Sequence, residues 1–92
     1  MALQILSEPS DSEAVVGNLR EAIAAALPGA GVAVRATGVG HFEIRVTSDA
    51  FRDRSRVAQQ QLVYGAIAHL MKGSSAPVHA IDKLETLTPE TR

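Results

Sequence analysis

The chain has 92 residues, which is enough for one folded domain and too short for two. Its hydrophobic fraction of 46% and charged fraction of 21% exclude the composition of a disordered chain. Nine Lys or Arg residues against ten Asp or Glu residues give a formal net charge of -1, which excludes a global attraction to nucleic acid or anionic lipid. Cysteine is absent, so the sequence offers no disulfide, thiol nucleophile or thiolate ligand.

Residues 1–10 are expected to form a flexible arm ahead of a single domain over residues 11–92. They end in Ser-Glu-Pro-Ser and show no sustained hydrophobic period. The opening Met-Ala-Leu-Gln-Ile-Leu has no basic start, its apolar run is shorter than that of a secretory signal, and no later segment reaches the length of a membrane span. These features predict a cytoplasmic protein that does not contact a membrane.

The first regular element is predicted to be a helix over residues 13–27. Ser10 and Glu13 have the spacing of a capping box, and Pro28-Gly29 ends the helical pattern. Between these limits, apolar side chains recur at helical intervals, namely Val15, Leu19, Ala22, Ile23 and Ala26.

Two segments with alternating hydrophobicity flank the Gly-Val-Gly sequence at 38–40 and predict a β-hairpin. On this register His41 lies on the solvent face of the sheet or at its edge. On the same register Phe42 is expected to face the core, in a strand where Phe42, Ile44 and Val46 alternate with Glu43, Arg45 and Thr47.

A second helix and a third strand complete the predicted domain. Asp53 or Ser55 can cap the helix, whose apolar stripe consists of Val63, Ala66, Ile67 and Leu70. The apolar run at 78–81 is predicted to be a strand parallel to the second strand, because a right-handed helical crossover joins the two. Thr88-Pro89 allows at most one final helical turn. The order α-β-β-α-β predicts an α+β domain with a three-stranded mixed sheet.

The histidines are the main candidates for metal ligation in this cysteine-free sequence. His41, His69 and His79 do not have the spacing that builds a closed zinc site. We expect His69 to be solvated on the polar side of the second helix. His79 is predicted to stand at the exposed head of the third strand, where the residues alone leave both a structural role and a ligand role open.

The sequence gives little indication of catalysis or of nucleic-acid binding. No nucleophile, base and stabiliser can be grouped from the sequence, so we do not expect an enzyme. Arg52, Arg54 and Arg56 stand two residues apart and precede three glutamines at 59–61, a pattern that could contact phosphates or base edges. The alternative interpretation is a solvated basic loop followed by exposed amides. A DNA-binding transcriptional regulator that uses the three arginines and Gln60 is therefore the second functional hypothesis.

The sequence resembles the BolA family over roughly residues 13–90. Five ordered segments are similar to family motifs. They are the His-Phe start of strand two at 40–44, the Ser-x-x-Phe turn at 48–51, the Ser-x-Val helix ending in Val-Tyr at 55–64, the Ile-His-Ala-like segment at 78–80 and the Thr-x-Thr-Pro-Glu ending at 86–90.

This resemblance implies a class II KH-like fold, in which helices cover one face of a three-stranded sheet. It also implies a monothiol glutaredoxin as partner, with a [2Fe-2S] cluster shared between the two proteins and glutathione. His79 matches the histidine ligand near the family's C-terminus, and the three arginines are then candidates for steering the docking. The cluster would serve iron-sulfur cluster trafficking or iron and redox regulation, and the free protein is expected to be a monomer or a weak dimer.

Three positions depart from the family pattern. The family's second ligand is a Cys or His in the loop between the first two strands, but residues 37–40 contain neither, so His41 at the end of the loop is the nearest candidate. Asp53 replaces a glycine, and Gln60 and Gln61 replace a His-Arg pair. This combination resembles a short-loop, Gln-Gln subgroup. The Gly-x-x-Gly clamp of nucleic-acid-binding KH domains is missing, which disfavours RNA binding.

Overall fold

The computed structural model describes residues 11–90. The prediction of a flexible arm over residues 1–10 falls outside this range, as does the Ser10 half of the predicted capping box. Neither helix of the described range is long and apolar enough to cross a membrane. The elements are α1 (Asp11–Ala26), β1 (Gly31–Gly38), β2 (His41–Thr47), α2 (Arg56–Ile67) and β3 (Ala80–Leu87), with 3-10 turns at Asp49–Phe51 and Ala68–Leu70.

The three strands form one mixed sheet in the order β1-β2-β3. β1 and β2 pair antiparallel as the predicted hairpin, and β2 and β3 pair parallel. The β2–β3 register shifts after Phe42, which pairs with Ile81, so that Glu43 pairs with Lys83. Asp82 is the extra residue at this irregularity. The α+β fold predicted from the element order is confirmed.

Both helices pack on one face of this sheet. The side chains of Phe42, Ile44 and Val46 are buried there, whereas the intervening residues of β2 are exposed or half-buried. Burial of an apolar side chain of this size contributes about 1.5 to 3 kcal/mol, so these contacts dominate the stability of the domain. The helical side chains that complete the core are Val15, Leu19, Ile23 and Leu27 from the region of α1, and Val63 and Ile67 from α2.

The predicted position of Ala26 in the core stripe of the first helix is wrong. Buried side chains recur at every fourth position from Val15, which brings Leu27 into the core, just beyond the end of the helix, and leaves Ala26 exposed. The helix also begins at Asp11 and ends at Ala26, where the sequence predicted residues 13–27.

The third strand is longer than the predicted run at 78–81. It begins at Ala80 and continues to Leu87. β3 lies at the edge of the sheet with one face open to solvent, and its sequence mixes apolar and charged residues. The apolar run at 78–81 therefore covers only the first two residues of the strand. Val78 and His79 precede the strand.

Of the two residues predicted to cap α2, Asp53 and Ser55, the structure shows that only Ser55 does so. Ser55 is the N-cap of α2, because its side-chain oxygen accepts a hydrogen bond from the Ala58 backbone N–H at 3.1 Å. Asp53 instead has a φ of 63°, in the left-handed region that glycine adopts most easily and that Asp tolerates better than most residues. A glycine here, as the resemblance implies, would adopt this backbone conformation without strain.

Candidate functional site

His79 lies immediately before β3, beside the loop that joins β1 to β2. The backbone N–H groups of His79 and Ala80 both donate to the carbonyl oxygen of Gly40, at 2.8 and 3.1 Å. On the other side, Val78 is buried and its N–H donates to the Leu70 carbonyl oxygen at 3.1 Å. The main chain is thus fixed on both sides of His79, while the side chain itself is exposed. The predicted accessibility of this imidazole is confirmed.

A cavity of about 330 Å³ opens beside the His79 ring. At the tip of the hairpin, Val39 is 86% exposed, which is unusual for an apolar side chain of this size. An exposed imidazole thus lies within apolar surface, an arrangement that suits contact with another protein more than contact with a polyanion. The cavity is lined by Ser12, Ala14, Val15, Val39, Gly40, Phe42, Ala76, Pro77 and His79.

His41 takes part in a different group. Its Nδ1 lies 3.0 Å from Oδ1 of Asp82, and the Thr37 hydroxyl donates to Oδ2 of the same carboxylate at 2.8 Å. The hydrogen bond with His41, followed by that from Thr37, lowers the pKa of Asp82 below its usual value. Because the hydroxyl bonds to the carboxylate and not to the imidazole, this arrangement does not activate a nucleophile.

The two candidate ligands, His41 and His79, belong to opposite faces of the sheet. Phe42 lines the His79 cavity, and successive side chains of a strand point to opposite faces, so His41 points away from that cavity. Across residues 11–90, no three His, Asp or Glu side chains come close enough to hold a metal ion together. His79 therefore offers one ligand, and any cage around a metal must be completed from outside this part of the chain.

The three arginines of the nucleic-acid hypothesis lie beyond the other end of β2. Arg52 bonds to the carboxylates of Asp49 and Glu90, and these contacts raise its pKa while lowering that of Glu90. The Arg54 Nε donates to the Ala50 carbonyl oxygen at 2.8 Å, and Arg56 is exposed. Of the three guanidinium groups, Arg52 is thus already engaged by carboxylates.

The distance along β2 separates the arginine group from His79. Gly40, which holds the His79 backbone, immediately precedes the strand, and Asp49 follows its end. Seven residues of extended chain span about 20 Å at roughly 3.3 Å per residue. A partner bound at His79 would therefore reach the arginines only if it extended along the length of the domain.

The glutamine run contains a structural residue that the sequence interpretation missed. The Gln59 amide nitrogen donates to the carbonyl oxygens of Phe51 and Arg54, at 3.0 and 3.1 Å. Its oxygen accepts a hydrogen bond from the buried Thr86 hydroxyl at 2.6 Å. Gln60 is half-buried and Gln61 is exposed. No sequence signal marks this role of Gln59, because its partner in β3 lies 27 residues away along the chain.

The fold and the site define a small α+β domain that presents the exposed His79 imidazole beside a cavity at one end of a three-stranded mixed sheet. The model of the BolA-like protein family matches residues 20–91, and the chain belongs to this family. None of the curated protein sequences compared with the chain matches it significantly.

Solved structures of BolA proteins share the fold. BolA1 from Arabidopsis thaliana superposes with a TM-score of 0.73 at 16% identity, over 92% of this chain and 99% of that chain. A BolA protein homologue from Coxiella burnetii has a TM-score of 0.66 at 25% identity, over 80% of this chain and 90% of that chain. Yeast Fra2 has a TM-score of 0.62 at 25% identity, over 82% of this chain and 80% of that chain.

Proposed function

We propose that this protein is a partner of a monothiol glutaredoxin and that His79 supplies one ligand to a [2Fe-2S] cluster held between the two proteins. In this proposal glutaredoxin and glutathione supply the thiolates, and the complex serves cluster trafficking or iron and redox regulation. Membership of the BolA family supports the choice of partner. The observation that carries the proposal is the exposed His79 ring, whose nitrogens make no side-chain hydrogen bond to any residue in the described range.

The donor groups of this chain fit a shared cluster and do not fit a cluster of its own. Imidazole can replace thiolate on one iron of a [2Fe-2S] centre, where it raises the reduction potential. The sequence contains no cysteine, and His79 has no neighbouring His, Asp or Glu side chains in residues 11–90 with which to complete a metal cage. The remaining ligands must therefore come with the partner. When bound, the cluster supplies the redox and iron-transfer chemistry, and His79 supplies one nitrogen.

The surroundings of His79 favour docking through apolar contacts. Val39 and Pro77 line the cavity beside the ring, and among the described residues that line it there is no Lys, Arg, Asp or Glu. Exclusion of water from this surface would also protect a bound cluster from hydrolysis. His41 is the weaker ligand candidate, because its Nδ1 is engaged by Asp82 and its side chain faces away from the cavity.

The test is to mix the protein with a cluster-loaded monothiol glutaredoxin in the presence of glutathione. Visible circular dichroism and absorbance follow the environment of the cluster, and analytical gel filtration follows the complex. We expect wild type to change the dichroism spectrum, and His79→Ala to form the complex without that change. His69→Ala is the matched control, since His69 is an exposed histidine outside the cavity. An unchanged spectrum and unchanged cluster lability in His79→Ala would refute the ligand assignment.

The alternative function, DNA binding through Arg52, Arg54, Arg56 and Gln60, gains no specific support from this geometry. Arg52 is bound by two carboxylates and Gln60 is half-buried, which leaves Arg54 and Arg56 to meet phosphates. Two cations provide only a weak contact, because the electrostatic affinity for phosphates grows with the number of cations that meet them. Sequence-selective DNA binding that weakens in Arg54→Ala would restore this alternative.

A further inference from the structure

The β1–β2 loop and the segment leading into β3 meet at Gly40. The carbonyl oxygen of Gly40 accepts both backbone hydrogen bonds described above, from His79 and Ala80. Gly40 is buried and has a φ of 76°, in the left-handed region that residues with a side chain rarely adopt. The loop backbone therefore fixes the point from which the His79 side chain starts.

The His79 ring occupies the space that a side chain at position 40 would need. A Cβ atom added to Gly40 would lie 2.5 Å from Nδ1, 2.7 Å from Cγ and 3.0 Å from Cε1 of the ring. Real Cβ atoms essentially never approach a neighbour closer than 3.0 Å, so any other residue at position 40 would displace the ring or the loop. At the other glycines of the chain, the nearest atom to an added Cβ lies at 3.9 Å or beyond.

We propose that Gly40 is a positioning residue that fixes the plane of the His79 imidazole before a partner binds. An added Cβ would lie 2.5 to 3.0 Å from three adjacent ring atoms, Nδ1, Cγ and Cε1. Such similar distances to one ring atom and to both atoms bonded to it place the glycine over the face of the ring and not beyond its edge. Because His79 is exposed, a partner can still reach the ring, and the use of this orientation in cluster binding rests on the proposed function.

Packing that orders the ring in the free protein lowers the entropic cost of binding a metal that a partner brings. An exposed histidine normally samples several rotamers, and ordering it on binding opposes association. Contact with Gly40 restricts the ring beforehand without consuming a ring nitrogen. His41 is oriented differently, because the hydrogen bond with Asp82 engages its Nδ1.

The orientation of the ring is a property of this chain alone and can be tested without a cluster. In the free protein we expect one Gly40 Hα proton to show nuclear Overhauser effects to the His79 ring protons and to be shifted upfield relative to the same proton in His79→Ala. The reason is that an added Cβ would stand where one of these Hα protons points, and a proton over the face of an aromatic ring is shielded. Absence of both effects would overturn the proposed orientation, whatever the fate of the glutaredoxin proposal.

Two control variants separate the clash at Gly40 from its backbone strain. Gly29→Ala has the same kind of positive φ, 85°, but its added Cβ meets nothing within 4 Å. Gly38→Ala changes the same loop, and its nearest neighbour is the His41 Cβ at 4.0 Å. We expect Gly40→Ala alone to shift the His79 ring signals and abolish the Overhauser effects, and to lose more stability than Gly29→Ala. Unshifted His79 ring signals in a folded Gly40→Ala variant would overturn the proposal. If that variant does not fold, the wild-type measurement decides.

Discussion

The Thr86 hydroxyl donates a hydrogen bond to Oε1 of Gln59 at 2.6 Å, which ties β3 to α2. The amide nitrogen of the same Gln59 side chain donates to the carbonyl oxygens of Phe51 and Arg54 in the turn before α2. One side chain thus connects the turn, the first part of the helix and β3. Because Thr86 is buried, the loss of this side chain would leave its hydroxyl without a protein partner.

We therefore predict that Gln59→Ala lowers the free energy of unfolding by about 1 to 3 kcal/mol. Thr86→Val removes the hydroxyl at nearly constant volume, and the double variant is expected to lose less than the sum of the two single changes. Gln61→Ala is the control, because Gln61 is exposed and its loss costs at most about 0.5 kcal/mol. Urea denaturation measures all four variants, and equal losses in Gln59→Ala and Gln61→Ala would contradict the structural role.

A second prediction concerns the left-handed backbone of Asp53. A side chain at such a position costs about 1 to 2 kcal/mol, with Asn and Asp tolerated better than other residues. We expect Asp53→Gly to leave stability unchanged or raise it slightly, Asp53→Asn to be neutral, and Asp53→Val to lower it by about 1 to 2 kcal/mol. Thermal unfolding gives the order of the three variants. If Asp53→Val were as stable as Asp53→Gly, the φ of 63° would not describe the protein in solution.

A third prediction concerns the acid side of the stability profile. The pKa of Asp82 is lowered in the folded state, first by its hydrogen bond with His41 and then by that from Thr37. The carboxylate therefore adds stability above its unfolded pKa of 3.8, and this contribution disappears as the pH falls through the lower folded value. Because Asp82 is exposed, the contribution is small.

This difference is measured by urea denaturation of wild type and Asp82→Asn between pH 6 and pH 2. We expect wild type to be the more stable above about pH 4 and the two proteins to converge at lower pH. Thr37→Val should weaken the pH dependence less than His41→Ala, because the contact with His41 has the larger effect on the Asp82 pKa. Parallel profiles for wild type and Asp82→Asn would show that the carboxylate contributes nothing specific.

A fourth prediction tests the apolar surface around His79. Val39→Asp places a charge beside the cavity, and we expect it to weaken glutaredoxin binding at least about tenfold, which corresponds to 1.4 kcal/mol. The free energy of unfolding should not change, because Val39 is 86% exposed. Val57→Asp is the matched control, since Val57 is 63% exposed on α2 and does not line the cavity. Isothermal titration calorimetry measures the affinity of both variants for glutaredoxin. An equal loss of affinity in the two variants would show that the partner does not contact the surface around Val39.

Local patterns predicted the elements that depend on neighbouring residues. The hairpin followed from the alternation on either side of Gly38-Val39-Gly40, and Ser55, the N-cap of α2, was one of the two predicted caps. The exposure of His79 followed from its predicted place at the head of the last strand, which begins one residue later. These features are encoded within short stretches of chain, whereas the parallel direction of β3 followed from the handedness rule for helical crossovers.

Features that depend on distant residues were not predicted. The His41–Asp82 contact joins residues 41 positions apart, and it forms because a register irregularity in β3 places the carboxylate beside the loop. The packing of the His79 ring on Gly40 likewise depends on the parallel pairing of β2 and β3. Periodicity identifies the face on which a side chain lies, but it does not identify the partner across the sheet.

The separation between the imidazole and the arginine group also affects how the protein can be studied. A fluorophore or surface linker attached near Arg54 would stand about 20 Å from the proposed docking surface, given roughly 3.3 Å per residue along β2. Immobilised protein should thus retain full access for an incoming glutaredoxin. The same spacing suits Förster energy transfer. A donor dye near Arg54 would report the arrival of an acceptor-labelled partner at His79, because the distance lies in the range where transfer is efficient.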